Sequence, residues 1–239
     1  SYRFEGSKDI EGHNLGNLIF LSLMDITGSF MGAIQAISRI LKVKGTILPS
    51  TLDTVTLYAM MEDGTLVRGE NNIPTLNNSI DHVFYQKRVE PQSDALKAIR
   101  KADLIIYGIG SLYTSIMPNL IIPEIVDEIK RNPCQKIYFC NAMSQPGETD
   151  DFSVEDHIRA IEKHSFKNAV DLAIVNDSYI PQNILEAYAK QGSYPVKIKE
   201  HEHSYRIIVR KLIMFDEKGR IRHNPDAVKK VIEEVIQTI

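Results

Sequence analysis

From residue 94 onward, short apolar runs alternate with amphipathic stretches, and this alternation narrows the possible folds more than any other feature of the chain. A helix is expected at Asp94 to Lys101, a strand at Leu104 to Tyr107, a helix after Pro118 and a strand at Ile137 to Cys140. Ser153 with Asp156 three residues on opens another helix, Leu172 to Val175 reads as a strand, and a helix starts from Pro181. The final helix has Asn224 as its cap and Pro225 at its first position, with Val228, Val231, Ile232, Val235 and Ile239 as its stripe. Strand and helix in alternation mean parallel βαβ units, so the fold class is α/β with a mostly parallel sheet flanked by helices.

The first third of the chain follows other rules. Phe30, Ala33, Ile34, Ile37 and Leu41 have the three-and-four spacing of a one-faced helix over residues 29 to 41. Asn17 to Asp25 also reads as helix, but apolar nearly all round, which places it deep in the fold. Val55, Leu57, Ala59 and Met61 then alternate with Thr54, Thr56, Tyr58 and Met60, and Asp63-Gly64 turns the chain into Thr65 to Arg68. This antiparallel hairpin excursion around residues 54–69 is expected at an edge of the main sheet or projecting from it, with Ile80 to Tyr85 as a further strand. The 239 residues, 43% hydrophobic and 25% charged, suit one soluble globular domain over 1–239.

A formal charge of −3 offers no general attraction to a polyanion, which argues against nucleic acid as a partner. The apolar stretch Leu18 to Met24 is interrupted by Ser22 and falls well short of the about 20 residues that cross a bilayer, so no membrane span is expected. Cys134 and Cys140 bracket a strand and read as reduced core cysteines of a cytoplasmic protein.

Ligands of open parallel sheets bind at the carboxyl ends of strands, and two loops there stand out. Gly108-Ile109-Gly110-Ser111-Leu112-Tyr113-Thr114-Ser115 follows the Leu104 to Tyr107 strand. Its glycines let backbone N–H groups approach an anion, and its hydroxyls add donors without charge, a form that suits phosphate. The spacing lacks the third glycine of a dinucleotide fingerprint and the Gly-Lys-Ser/Thr of a P-loop. A tight turn with capping hydroxyls fits the same letters, and the pattern alone leaves both readings open. Asn141 to Asp151, after Ile137 to Cys140, is long against the 2 to about 6 residues usual for such a connection. Asn141 faces a base or sugar in this reading. Glu148, Asp150 and Asp151 are candidates for a metal or a catalytic base, although the pattern favours a role at the positive end of the next helix.

Among the seven histidines, His13 lies in Gly12-His13-Asn14-Leu15-Gly16-Asn17, a loop-to-helix junction that offers a second anion-binding edge through His13 and Asn17. His157 sits one turn into its helix beside Asp156. No His-Glu-x-x-His array, Cys/His cluster or Gly-x-Ser-x-Gly elbow occurs in the sequence, so neither a zinc site nor a serine hydrolase is expected.

Four segments together resemble the CofD/YvcK family. They are Gly12-His13-Asn14-Leu15-Gly16-Asn17-Leu18; Met61-Glu62-Asp63-Gly64 with Gly69-Glu70; Gly108 through Ser115 continuing to Ile116-Met117-Pro118-Asn119-Leu120; and Asn141-Ala142-Met143-Ser144-Gln145-Pro146-Gly147-Glu148-Thr149-Asp150. The Ser-Leu-Tyr-Thr-Ser continuation favours the YvcK-like branch over the 2-phospho-L-lactate transferases, whose loop reads Gly-Pro-Gly-Asn. The family has proline where this chain has Ile109 and threonine where it has Ser144. Its first glycine-rich strand-loop-helix, Gly-Gly-Thr-Gly, and its Asp-Asp-Gly-Gly segment are not found in these 239 residues, and the expectation is a fragment or the ordered part of a longer protein.

The resemblance implies a Rossmann-like fold, a homodimer, and a strand-end pocket for a nucleotide-linked phosphate compound. YvcK-like members are UDP-sugar-binding factors linked to gluconeogenic growth and cell shape; CofD members transfer phospholactate to a deazaflavin. The leading expectation is a nucleotide-sugar-binding regulatory protein, with Gly108, Gly110, Ser111, Tyr113, Thr114 and Asn119 around the phosphate and Asn141 on the ligand. A CofD-type transferase, which would call for Mg²⁺ on carboxylates, and a dimeric scaffold with a vestigial pocket are the alternatives.

Overall fold

The computed structural model describes residues 14–76, 78–199 and 202–238. The chain forms two compact units, one ending at Leu52 and one beginning at Asp53.

In the first unit, α1 (Leu15–Thr27) starts at Asn14, whose side chain accepts the Gly16 N–H at 2.8 Å, and stops at Gly28 with φ 69°. α2 (Phe30–Ile40) is capped by Ser29 and packs on α1, with the rings of Phe20 and Phe30 edge-to-face at 5.3 Å. Ala33 and Ile34 are buried, as the stripe requires. The expectation that the first helix lies deep in the fold is corrected: none of its residues is buried, and Leu21 and Ile26 are 57% and 78% exposed. A helix apolar on all sides needs neighbours on several sides, and within its unit α1 has α2 on one.

The second unit opens with β1 (Leu57–Met61), β2 (Leu66–Arg68) and β3 (Ile80–Tyr85), which form an antiparallel sheet in the order β2-β1-β3. Leu57, Ala59 and Met61 point into the core, and Gly64, with φ 86°, makes the turn. The excursion forms a sheet of its own, with β2 and β3 on the two edges of β1 and none of the three paired with the parallel sheet. The chain then runs through α3 (Ser93–Arg100), β4 (Leu104–Tyr107), a π-helical segment (Leu112–Ile116), α4 (Met117–Leu120), α5 (Pro123–Arg131) and β5 (Gln135–Phe139). α6 (Val154–His164), β6 (Leu172–Asn176), α7 (Gln182–Ala189), β7 (Arg206–Arg210), β8 (Ile213–Phe215), β9 (Ile221–His223) and α8 (Pro225–Ile236) complete it.

β4-β5-β6-β7 form the parallel sheet, and β8 pairs with β9 in a separate hairpin. Tyr138, Ala173 and Val175 face a core shared with the antiparallel sheet and with α4 to α6. Ile137, Phe139, Leu172 and Ile174 face the other way, onto Leu212 and onto Val231 and Val235 of α8. Both faces are covered, which explains why these strands read as unbroken apolar runs.

Two local features hold the loops that matter below. Ser153 and Asp156 form a capping box on α6: the Ser153 hydroxyl accepts the Asp156 N–H at 3.2 Å, and the Asp156 carboxylate accepts the Ser153 N–H at 2.8 Å. Burial raises the Asp156 pKa, but the Ser153 hydroxyl and N–H and the Arg159 guanidinium outweigh it and hold the carboxyl at about 2. Gly147 has φ 76°, and a Cβ there would sit 2.1 Å from the Pro74 carbonyl oxygen, so the loop after β5 lies flush on the turn at Ile73–Thr75.

Ser153→Ala is expected to cost about 1–2 kcal/mol at neutral pH by chemical denaturation. A carboxyl with a lowered folded pKa stabilises above its unfolded pKa and loses that contribution as pH falls through the folded value. The gap between Ser153→Ala and the parent should therefore narrow between about pH 4 and pH 2. Gly147→Ala should cost at least ~2 kcal/mol, since it combines positive-φ strain with a clash against backbone, and thermal unfolding should show it as a loss of several degrees.

Candidate functional site

β4 and β5 lie side by side in parallel with Tyr107 beside Tyr138, so the loops that leave their carboxyl ends are neighbours. The first loop, Gly108 to Ser111, runs into the π-helical segment. Asn141 of the second loop donates its amide to the Gly110 carbonyl at 2.9 Å, and Gln145 donates to the Ser111 hydroxyl oxygen at 2.7 Å. The Ser111 oxygen is thus an acceptor within the protein, which leaves its own proton available to a ligand. Among the described residues the N–H groups of Ile109, Gly110 and Ser111 have no protein acceptor. A Cβ at Gly110 would meet the Ser115 Cβ at 3.0 Å, a second reason for glycine there besides approach to a ligand.

The second loop is long but pinned. The Ser144 N–H donates to the Tyr194 carbonyl at 2.7 Å, its hydroxyl accepts the Tyr194 N–H at 2.9 Å, and its carbonyl accepts the Ser193 hydroxyl at 2.6 Å. Any hydroxyl residue at 144 serves this clip. Across from the loops stand Tyr188 and Gln191 at the end of α7 and Arg222 and His223 on β9, and together they enclose a cavity of about 600 Å³. The Tyr188 hydroxyl accepts the Ile221 N–H at 2.9 Å and so ties the hairpin to α7. Arg222 is half-exposed, with its nearest carboxylate, Asp216, 3.6 Å away. The His223 Nε2 is buried without a hydrogen-bond partner, and burial lowers the pKa of the ring.

The residues expected at the site divide accordingly. Gly110, Ser111, Asn141 and Glu148 line the cavity, whereas Gly108, Tyr113, Thr114 and Asn119 do not. Asn141 spends its amide on the loop and acts as a brace. The Thr114 hydroxyl donates to Glu148 at 3.1 Å, the Tyr113 ring is buried edge-on against Phe152 and His164, and Asn119 folds back on the Ser115 carbonyl. Asn17 is an exposed residue of α1 in the first unit, and His13 lies outside the described residues. His157 is a core residue, with Nδ1 at 2.7 Å from the Ser153 carbonyl and its ring stacked on Tyr138.

The three acidic candidates do not cap α6, whose start belongs to Ser153, Glu155 and Asp156. Asp150 is exposed and accepts the Gly147 N–H at 2.7 Å, and Asp151 is exposed at φ 58°. Glu148 is buried and turns to Tyr113 and Thr114. Among the described residues no three His, Cys, Asp or Glu side chains gather as a metal site. Arg222 and His223 go unmarked in the sequence along with the β8–β9 hairpin that presents them, and so does Tyr188, which stands on α7 and bonds to that hairpin. The hairpin's signal is the Asp216-to-Gly219 turn between Ile213-Met214-Phe215 and Ile221.

Residues 1–213 match the family model described as 2-phospho-L-lactate transferase CofD. A gluconeogenesis factor of Bacillus subtilis is 38% identical over 239 residues, covering 99% of this chain and 75% of the relative. A putative gluconeogenesis factor of Thermotoga maritima is 39% identical, covering 98% of this chain and 76% of the relative. The crystal structure of a UPF0052-family protein from Bacillus halodurans matches with a TM-score of 0.89 at 38% identity, over 97% of this chain and 75% of that one. The sheet with its two loops and the family matches agree: this chain belongs to the CofD family, among its gluconeogenesis-factor, YvcK-like (UPF0052) members.

Proposed function

We propose that the cavity binds a nucleotide-sugar, such as a UDP-sugar, or another phosphate-bearing metabolite, and that the chain acts as a ligand-binding regulatory protein. The observation that carries this reading is that one cavity is lined by Ile109, Gly110 and Ser111, whose backbone N–H groups have no protein acceptor among the described residues, and by Arg222. Neutral donors on a glycine-bearing loop take phosphate oxygens at close range, and the guanidinium supplies charge from the opposite wall. Sugar or base would lie toward Tyr188 and Gln191. The name of the relatives supports a place in carbon metabolism, while the link to cell shape rests on the resemblance alone.

Transfer chemistry of the CofD type is the second reading, favoured by the description of the matching family model. A homodimer belongs to the proposal as well. The exposed apolar side chains of α1 support it, and sedimentation at micromolar concentration should return twice the chain mass, against a monomer if the proposal is wrong.

Calorimetric titration of UDP-glucose, GDP and inorganic phosphate tests the ligand. Ser111→Ala should weaken the ligand that binds by roughly ten- to a hundredfold, the cost of one hydrogen bond to a charged group. An unchanged affinity would make Ser111 a structural residue and move the phosphate elsewhere. These 239 residues should bind without turnover; transfer that Asp150→Asn abolishes would establish the second reading instead.

A further inference from the structure

The cavity wall contains a charge of the wrong sign for its proposed ligand. Glu148 is 7% exposed, with one carboxylate oxygen 3.3 Å from the Tyr113 N–H and the other 3.1 Å from the Thr114 hydroxyl. It is the one carboxylate among the lining residues, and among the described residues no Lys, Arg or His pairs with it. A buried carboxylate with only neutral donors keeps most of its field, because neither water nor a counter-charge screens it. Its two oxygens are bonded to the Tyr113 N–H and the Thr114 hydroxyl, while the other titratable or charged side chains on the same lining are Tyr188, Arg222 and His223.

Repulsion between this carboxylate and a ligand grows in proportion to the ligand's charge. A nucleoside diphosphate sugar carries about two negative charges near neutral pH and a triphosphate about four, against a single guanidinium on the lining. Resting on the ligand reading above, we propose that Glu148 is a charge filter, which admits nucleoside diphosphate sugars and holds back the corresponding triphosphates. This is selection by a repulsive element rather than by a better contact. Burial also pushes the Glu148 carboxyl up, only partly offset by the Thr114 and Tyr113 bonds, and protonating it would remove the charge.

Titration of UDP-glucose and UTP with EDTA present, on the parent and on Glu148→Gln, tests the filter. The parent should prefer UDP-glucose; in Glu148→Gln, UTP should tighten at least ~10-fold and UDP-glucose only about threefold, so the preference collapses. Equal factors for the two ligands, or no change, would overturn the proposal. Should Glu148→Gln fail to fold by near-ultraviolet circular dichroism, the parent alone decides, since the diphosphate of UDP-glucose keeps its charge between pH 8 and pH 5. Its affinity should then rise as the pH is lowered through the carboxylate range, and by the same amount in His223→Gln, which removes the other group on the lining whose protonation would strengthen binding. A flat profile, or one lost with His223, would sink the filter. If the parent binds neither nucleotide at any pH, the ligand reading falls and the filter with it.

Discussion

The parallel pairing of β4 with β5 is the constraint from which the rest of the site follows. Tyr107 beside Tyr138 fixes where each strand stops, and so sets Gly108–Ser111 against Asn141–Gln145 although some thirty residues separate them. The two loops then share hydrogen bonds, Asn141 to Gly110 and Gln145 to Ser111. Both faces of the sheet are packed, with the antiparallel sheet and helices on one side and α8 on the other. A shift in this register would misplace the core residues and the loops together.

Within the site, polar side chains divide the labour. Asn141, Thr114 and Ser144 bond to the protein itself and hold the loops, while Ser111 and three backbone N–H groups remain for a ligand. Donors without charge suit a phosphate that must enter and leave. The cationic part comes from β9, far along the chain, and depends on the Tyr188–Ile221 bond for its position. Glu148 belongs to the loop side of the same lining. The cavity lining thus carries one guanidinium and one carboxylate.

Much of this was legible in the sequence, for physical reasons. β4, β5 and β6 read as strands because apolar runs bounded by turns have few other uses, and Ser153 with Asp156, or Asn224 before Pro225, announce helices through backbone donors that must be satisfied. β7 is not marked in the sequence because it is an edge strand with arginine at both ends and three of its five residues exposed, so it lacks the apolar signature of its neighbours. The π-helical segment after Ser111 carries no sequence mark at all, and its formation turns Tyr113 inward and gives Thr114 to Glu148. The loop was identified, but which of its side chains face the ligand depends on that winding.

The claim that ligand donors are the Ile109–Ser111 amides is open to direct observation by amide chemical-shift mapping during titration with UDP-glucose. The account predicts that the Ile109, Gly110 and Ser111 amides and the Arg222 side chain shift together and saturate at one concentration, while Tyr113, braced by Glu148, moves less. Shifts confined to another surface, with the Gly108–Ser111 loop silent at saturation, would contradict it.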